Sequence, residues 1–309
     1  VAVGGSITGA GQFKPGTTIL TGTGQELRAG QYQNVTVQGQ VTVVESVVIS
    51  GNLQLNNGSV LDLNGQVVEV QGNLTIAGGQ LKLTDMADLV RVRGNVSFPG
   101  SSVDTRATLT AGVLEVGGNF TVGCSSGFEF AASGSQRVVF NGTSPQTVNM
   151  ACVDATNNHF QDVEIANAAG VTFTSFTQIN GQLIVASGLT PTVSGNGVGL
   201  TTAGVNVDGL VLDNVLLTIS GGVVTRFDDV TFQNYNPTAT QLTINLGVVD
   251  ATFYGLTFLV EPTTGFYIKA NDTDGAGTLA RIAMINASPV DGSNHTKVTG
   301  GFIVTWGIQ

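Results

Sequence analysis

A Gly-Asn-apolar-polar-apolar pentapeptide recurs in this protein at a near-constant interval, and no other feature constrains the fold as tightly. The copies read GNLQL from Gly51, GNLTI from Gly72, GNVSF from Gly94 and GNFTV from Gly118, at spacings of 21, 22 and 24. A fixed period of this size signals stacked supersecondary units. Between the copies run short alternating segments: Val47-Val48-Ile49, Leu53-Gln54-Leu55, Val60-Leu61-Asp62-Leu63 and Val67-Val68-Glu69-Val70. The stretches SGN, NNGS, LNGQ and QGN separate them. Period-two alternation punctuated by Gly and Asn reads as short strands and tight turns. No segment shows the periodicity of an amphipathic helix.

Three short strands in each repeat fit one coil of a parallel β-helix. The expected fold is therefore all-β: a right-handed parallel β-helix, or β-solenoid, with about 21–24 residues per coil and atypical terminal caps. Val, Leu, Ile and Phe enter the core as ladders, and Thr, Asn and Gln face water. About 14 coils at a rise of about 4.8 Å would make a rod roughly 65–70 Å long. A β-sandwich also has short strands and turn signals, but it does not naturally repeat one pentapeptide at a constant coil length.

A longer repeat overlies the short one. GTGQELRAGQYQNVTV from Gly22 matches GTSPQTVNM…HFQDVEI from Gly142, and VTVVESVVISGNLQL from Val41 matches VTFTSFTQINGQLIV from Val171. The offset is 120 for the first match and 130 for the second, which places an insertion, MACVDATNN, around Cys152. An aromatic-x-x-apolar-x-apolar element recurs from Tyr32, Phe160, Phe227 and Phe253. The expected organisation is an N-terminal extension or cap over 1–15 and a solenoid over 16–260. The solenoid has two related halves, 16–135 and 136–260, and 261–309, which lacks the GN beat, forms a C-terminal cap or junction.

The phrases GTGQELRAGQYQNVTV, SGNLQLNNGSVLDLNGQ and QGNLTIAGGQLKL resemble repeats of large bacterial secreted and cell-surface β-solenoid proteins, adhesin- or fibre-like, over roughly 15–260. That resemblance implies an extracellular structural or adhesive role and brings no catalytic residue with it.

Composition narrows the function classes. Charged residues make up 10% of the sequence, against about 25% in an average domain. A net charge of -10, with eleven basic residues scattered along the sequence, argues against nucleic acid or an anionic membrane as partner. No apolar run reaches the ~20 residues of a spanning helix. The opening VAVGGSITGAG lacks a Met, as a processed or excised product would, and shows no signal peptide, so export is inferred from the resemblance and not read directly. In an exported protein Cys124 and Cys152 are candidates for a single disulfide, worth roughly 3 kcal/mol, that pins the insertion to its neighbouring rung. Two unpaired buried thiols are the other possibility.

Parallel β-helices also host pectin-lyase-like enzymes, so convergent carboxylates matter. Asp228-Asp229 beside Arg226 is the best local pair, yet neighbours on a strand point to opposite faces. Asp208 and Asp213 lie one coil upstream. Asp85, Asp88, Arg91 and Arg93 read as a surface ion-pair cluster. Asp272 and Asp274, in NDTDGAG (271–277), form a weak calcium candidate without the bidentate Glu of an EF-hand; an Asx-bonded turn is the default. His159 and His295 have no metal-ligand spacing, and no phosphate- or dinucleotide-binding glycine motif is present. No other cofactor is expected. Asn34, Asn57, Asn73, Asn95, Asn119, Asn141, Asn271, Asn286 and Asn294 each begin an N-x-S/T sequon, a glycan acceptor in a eukaryotic secreted protein; several follow from the repeat itself, in which Asn turns the coil and Ser or Thr is the outward strand position.

The expected function is a non-enzymatic extracellular or cell-surface β-solenoid: a fibre subunit, stalk or adhesin segment that self-associates with neighbouring copies or meets a surface glycan. A carbohydrate-active, pectin-lyase-like enzyme is the alternative. A Thr-rich face for ice or mineral is a third reading, disfavoured by irregular Thr rows.

Overall fold

The computed structural model describes residues 2–5, 16–100, 103–220, 225–234, 242–246, 251–254, 257–258, 268–272, 282–285 and 305–307. Among them every regular element is a strand and none is a helix. The strands pair in parallel and stack as a β-solenoid of about nine turns. The protein divides into two compact units, Val1–Asp162 and Val163–Gln309.

In the first unit the strands stack in three columns. One column stacks Thr18–Leu20, Val35–Val37, Leu53–Asn56, Leu74–Ala77, Val96–Phe98, Phe120–Val122 and Gln146–Met150. Its register runs Thr18, Val35, Leu53, Leu74, Val96, Phe120, Val148. A second column stacks Gln31–Tyr32, Val47–Ile49, Val67–Val70, Leu89–Val92, Val113–Val116 and Arg137–Phe140. The third holds Gln25–Leu27, Gln40–Val43, Val60–Asp62 and Gln80–Lys82, then thins to the single bridge of Leu83 with Leu109. Along most of these strands buried and more exposed residues alternate, so Leu53 and Leu55 enter the core while Gln54 faces out. This is the two-residue period of a strand acting on the sequence alternation.

Coil length keeps to the expected 21–24 residues in three steps and departs from it in the first and last. The corners that enter the first column, at Asn34, Asn52, Asn73, Asn95, Asn119 and Thr147, are successively 18, 21, 22, 24 and 28 residues apart. The strands of these turns stay at three to five residues, so the connecting segments absorb the difference. In the second unit Phe227 pairs with Phe253 and Phe253 with Met284, steps wider than most of those in the first.

The wider turns of the first unit are filled by aromatic rings. Phe120 is fully buried, and its ring centroid lies 5.1 Å from Phe130, 5.2 Å from Phe160, 6.0 Å from Phe140 and 6.1 Å from Phe98. Most of the cluster's pairs meet edge to face, the arrangement that ring quadrupoles favour.

Buried glutamines explain the long repeat. The Gln25 side-chain oxygen accepts from Gly22 N at 3.1 Å, and its amide donates to the Gly5 carbonyl. Gln146, in the matching segment, accepts from Gly142 N at 2.9 Å and donates to the carbonyls of Val116, at 2.9 Å, and Gly118. Each glutamine ties its own corner to the preceding turn, and Gln146 also satisfies buried backbone groups at Gly142 and Val116.

Candidate functional site

The GN corners build a ladder. Asn52 N donates to Asn34 Oδ1 at 2.9 Å, Asn73 N to Asn52 Oδ1 at 2.8 Å, Asn95 N to Asn73 Oδ1 at 2.8 Å and Asn119 N to Asn95 Oδ1 at 2.8 Å. Thr147 N donates to Asn119 Oδ1 at 2.8 Å, and at the other end Asn34 Nδ2 donates to the Gly16 carbonyl at 2.8 Å. Each asparagine therefore fixes the corner of the following turn. The preceding glycine is required by crowding: a Cβ on Gly72 would strike Asn52 Oδ1 and lie 2.7 Å from the Gly51 carbonyl oxygen. The sequon asparagines Asn34, Asn73, Asn95 and Asn119 are ladder members.

Beside the ladder, the outward strand positions align as Thr36, Gln54, Thr75, Ser97, Thr121 and Asn149. Together the two rows form a strip of amides and hydroxyls, none of them charged, repeating about every 4.8 Å along the stack. The second column is different. Its outward positions run Val48, Glu69, Arg91, Glu115, and ion pairs cross the rungs, Arg91 to Glu115 at 3.0 Å and Arg93 to Glu69 at 3.2 Å. The third carries Glu26, Thr42, Asp62 and Lys82, with Lys82 bound to Asp62 at 2.5 Å. An open depression lies where the charged column begins, lined by Gly30, Gln31, Tyr32, Gln33, Val48 and Ser50. Tyr32 is buried there with its hydroxyl donating to the Arg28 carbonyl at 3.0 Å. Burial, followed by the Glu45 charge, pushes this phenol up.

Cys124 and Cys152 are joined by a disulfide with a Cα separation of 5.8 Å. Val122 and Met150 are register partners, so each cysteine leaves its strand two residues later and the bridge clamps consecutive turns at one corner. Beneath it lies a carboxylate that the sequence did not signal. Glu129 is 1% exposed and accepts from Ser125 N and Ser126 N, each at 2.6 Å, Gly127 N at 3.1 Å and Asn158 Nδ2 at 3.2 Å. Burial alone would push Glu129 up; the backbone N–H donors of Ser126 and Ser125 and the Asn158 amide outweigh it and hold the carboxyl below its usual range. Asn158 also donates to the Gly123 and Ala151 carbonyls and accepts from Phe130 N. The only visible clue to this nest was two serines shortly before an acid between phenylalanines, in SSGFEF.

The ion-pair cluster read around 85–93 is not what the fold makes of those residues. Asp88 is 1% exposed and accepts from Gly65 N at 2.7 Å, Thr84 N at 2.8 Å and Asp85 N at 2.9 Å. Arg91 and Arg93 instead pair across rungs: Glu115 is the register partner of Arg91, and Arg93 reaches diagonally to Glu69, whose register partner is Arg91.

The acidic group of the second unit is partly assembled. Asp208 and Asp228 are register partners one turn apart, and Asp208 meets Arg226 at 3.4 Å. Asp213 accepts from Asn234 Nδ2 at 3.0 Å, and exposed Asp229 turns the backbone at φ 48°. Asp272 ends the strand Ile268–Asp272, whereas Asp274 and His295 lie outside the described residues. His159 is buried, with Nδ1 2.6 Å from the Asn157 carbonyl oxygen. Among the described residues no three His, Cys, Asp or Glu side chains are grouped to hold a metal ion.

Comparison with family models, curated proteins and solved structures finds no match. The strip's own chemistry is what remains to argue from. It offers donors and acceptors to a neutral polar partner and supplies neither an acid–base pair nor a nucleophile with its base.

Proposed function

We propose that this protein is a non-enzymatic structural β-solenoid, extracellular or at the cell surface, of the fibre, stalk or adhesin kind suggested by its resemblance to bacterial surface repeats. The observation that carries the reading is the corner ladder from Asn34 to Thr147. Six consecutive turns are linked by side-chain-to-backbone bonds, and the disulfide clamps the last two of them. Many of the polar side chains in this unit are engaged in holding turn to turn. The uncharged strip suits contact with a neutral glycan or a neighbouring copy, where little charge has to be desolvated. Electron microscopy of purified protein, together with an assay for cleavage of acidic polysaccharides, tests the proposal. Ordered fibres without cleavage support it. Monomers that depolymerise polysaccharide overturn it and favour an enzyme using the stacked Asp208 and Asp228.

A further inference from the structure

We propose that Asn64–Gly65 is a latent self-modification site and that Asp88 holds it silent. Asn64 and Gly65 are the central residues of a two-residue turn with φ of 50° and 79°, closed by Gln66 N donating to the Leu63 carbonyl at 3.0 Å. Asn64 is exposed, so water reaches its amide. A glycine after asparagine leaves the backbone nitrogen unhindered. That nitrogen can attack Asn64 Cγ, forming the C–N bond of a succinimide as the bond from Cγ to Nδ2 breaks. The Gly65 N–H proton leaves with the departing ammonia. Water then opens the ring to aspartate or isoaspartate, and the isoaspartate route adds a methylene to the backbone.

The nucleophile is occupied in the folded protein. Gly65 N donates to Asp88 Oδ1 at 2.7 Å, and Asp88 comes from the next turn of the solenoid, 23 residues on. The carboxylate takes up the N–H, and its negative charge opposes the loss of that proton which makes the nitrogen nucleophilic. Thr84 N and Asp85 N fix the other carboxylate oxygen, so Asp88 is held in place by its own loop. Two of the four other Asn–Gly linkages also have the glycine N–H engaged. Gly58 N donates to the Gly78 carbonyl at 3.0 Å, and Gly142 N donates to Gln146 Oε1 at 2.9 Å. Asn64–Gly65 is the one of these three guarded by an ionised side chain, so a local opening or the loss of one residue exposes it. Conversion there would lengthen the corner between the strands Val60–Asp62 and Val67–Val70 and disturb their register.

The test is incubation of the full-length protein at mildly alkaline pH and 37 °C, with the Asn64 mass shift localised by fragment mass spectrometry and isoaspartate assayed separately. A hydrogen bond to a charged group corresponds to roughly 10- to 150-fold protection, so folded wild type should convert at Asn64 more slowly than urea-unfolded wild type by at least that factor. Asp88→Ala that keeps its β circular dichroism should recover most of the unfolded rate, and adding Asn64→Gly should abolish the shift at this position. Equal rates in folded and unfolded wild type overturn the proposal, as does a folded Asp88→Ala that converts no faster than wild type. If Asp88→Ala does not fold, exchange of the Gly65 amide decides Asp88's part: slow exchange in wild type supports it and unprotected exchange overturns it.

Discussion

Replacing Gly72 by alanine tests the origin of the GN repeat. The added Cβ would strike Asn52 Oδ1, which accepts from Asn73 N at 2.8 Å, and would sit 2.7 Å from the Gly51 carbonyl oxygen. Backbone cannot yield cheaply, so the corner must shift. Overpacking costs about 1–3 kcal/mol and the lost ladder bond about 1 kcal/mol, which together give about 2–4 kcal/mol. Gly58 is the control. Nothing lies within 4 Å of its Cβ position, but its φ is 77°, so alanine there should cost only the left-handed penalty of about 1–2 kcal/mol. Urea unfolding of both variants measures the difference as a shift in midpoint at unchanged slope. Adding Asn52→Ala to Gly72→Ala removes one of the two clashing groups and should return about 1 kcal/mol, a coupling that a double-mutant cycle resolves. A Gly72→Ala cost below about 0.5 kcal/mol, or strict additivity with Asn52→Ala, would refute the crowding argument.

Three further outcomes follow from the same unit. Phe120→Ala removes a fully buried ring that meets four others and should destabilise by about 3–5 kcal/mol, read by denaturant unfolding. Reduction of Cys124–Cys152, which are 28 residues apart, should cost about 3–4 kcal/mol in the loop-entropy account and lower the thermal midpoint. Glu129 is held below its usual pKa, so its carboxylate favours the fold above the unfolded value of 4.5, and that contribution is lost as pH falls through the folded value. Acid titration of wild type against Glu129→Gln should therefore show the wild-type loss below about pH 4.5 and a flatter profile in the variant.

How much of this was legible follows from which interactions are periodic. Inward Leu53, Leu55, Leu74, Ile76 and Val96 and outward Gln54, Thr75 and Ser97 obey a local two-residue rule, so the sequence shows them directly. The GN spacing exposes the corner because every copy meets the same glycine–asparagine contact one turn earlier. Coil length was less legible: a turn of 18 residues and one of 28 residues have almost the same strands and differ only in the connecting segments, where no periodicity constrains the sequence. Asp88 and Glu129 were misread or missed for a related reason. Their partners are backbone N–H groups of loops, Gly65 for one and Ser125 and Ser126 for the other, and such donors leave no mark on residue type. The strip became visible only with register, which sorts outward residues into an uncharged column and an ion-paired one.

The in-register stack can be tested by cysteine pairs on the outward row. Gln54 faces Thr75, and Thr75 faces Ser97, as register partners one turn apart. Adjacent rungs are separated by about 4.8 Å, within the Cα range a disulfide spans, whereas two rungs, about 9.6 Å, lie beyond it. Oxidation followed by non-reducing peptide mapping should show a new bridge in Gln54→Cys with Thr75→Cys and in Thr75→Cys with Ser97→Cys, and none in Gln54→Cys with Ser97→Cys. Closure of the distant pair as readily as the near ones, or failure of both near pairs, would contradict the solenoid register on which the account rests.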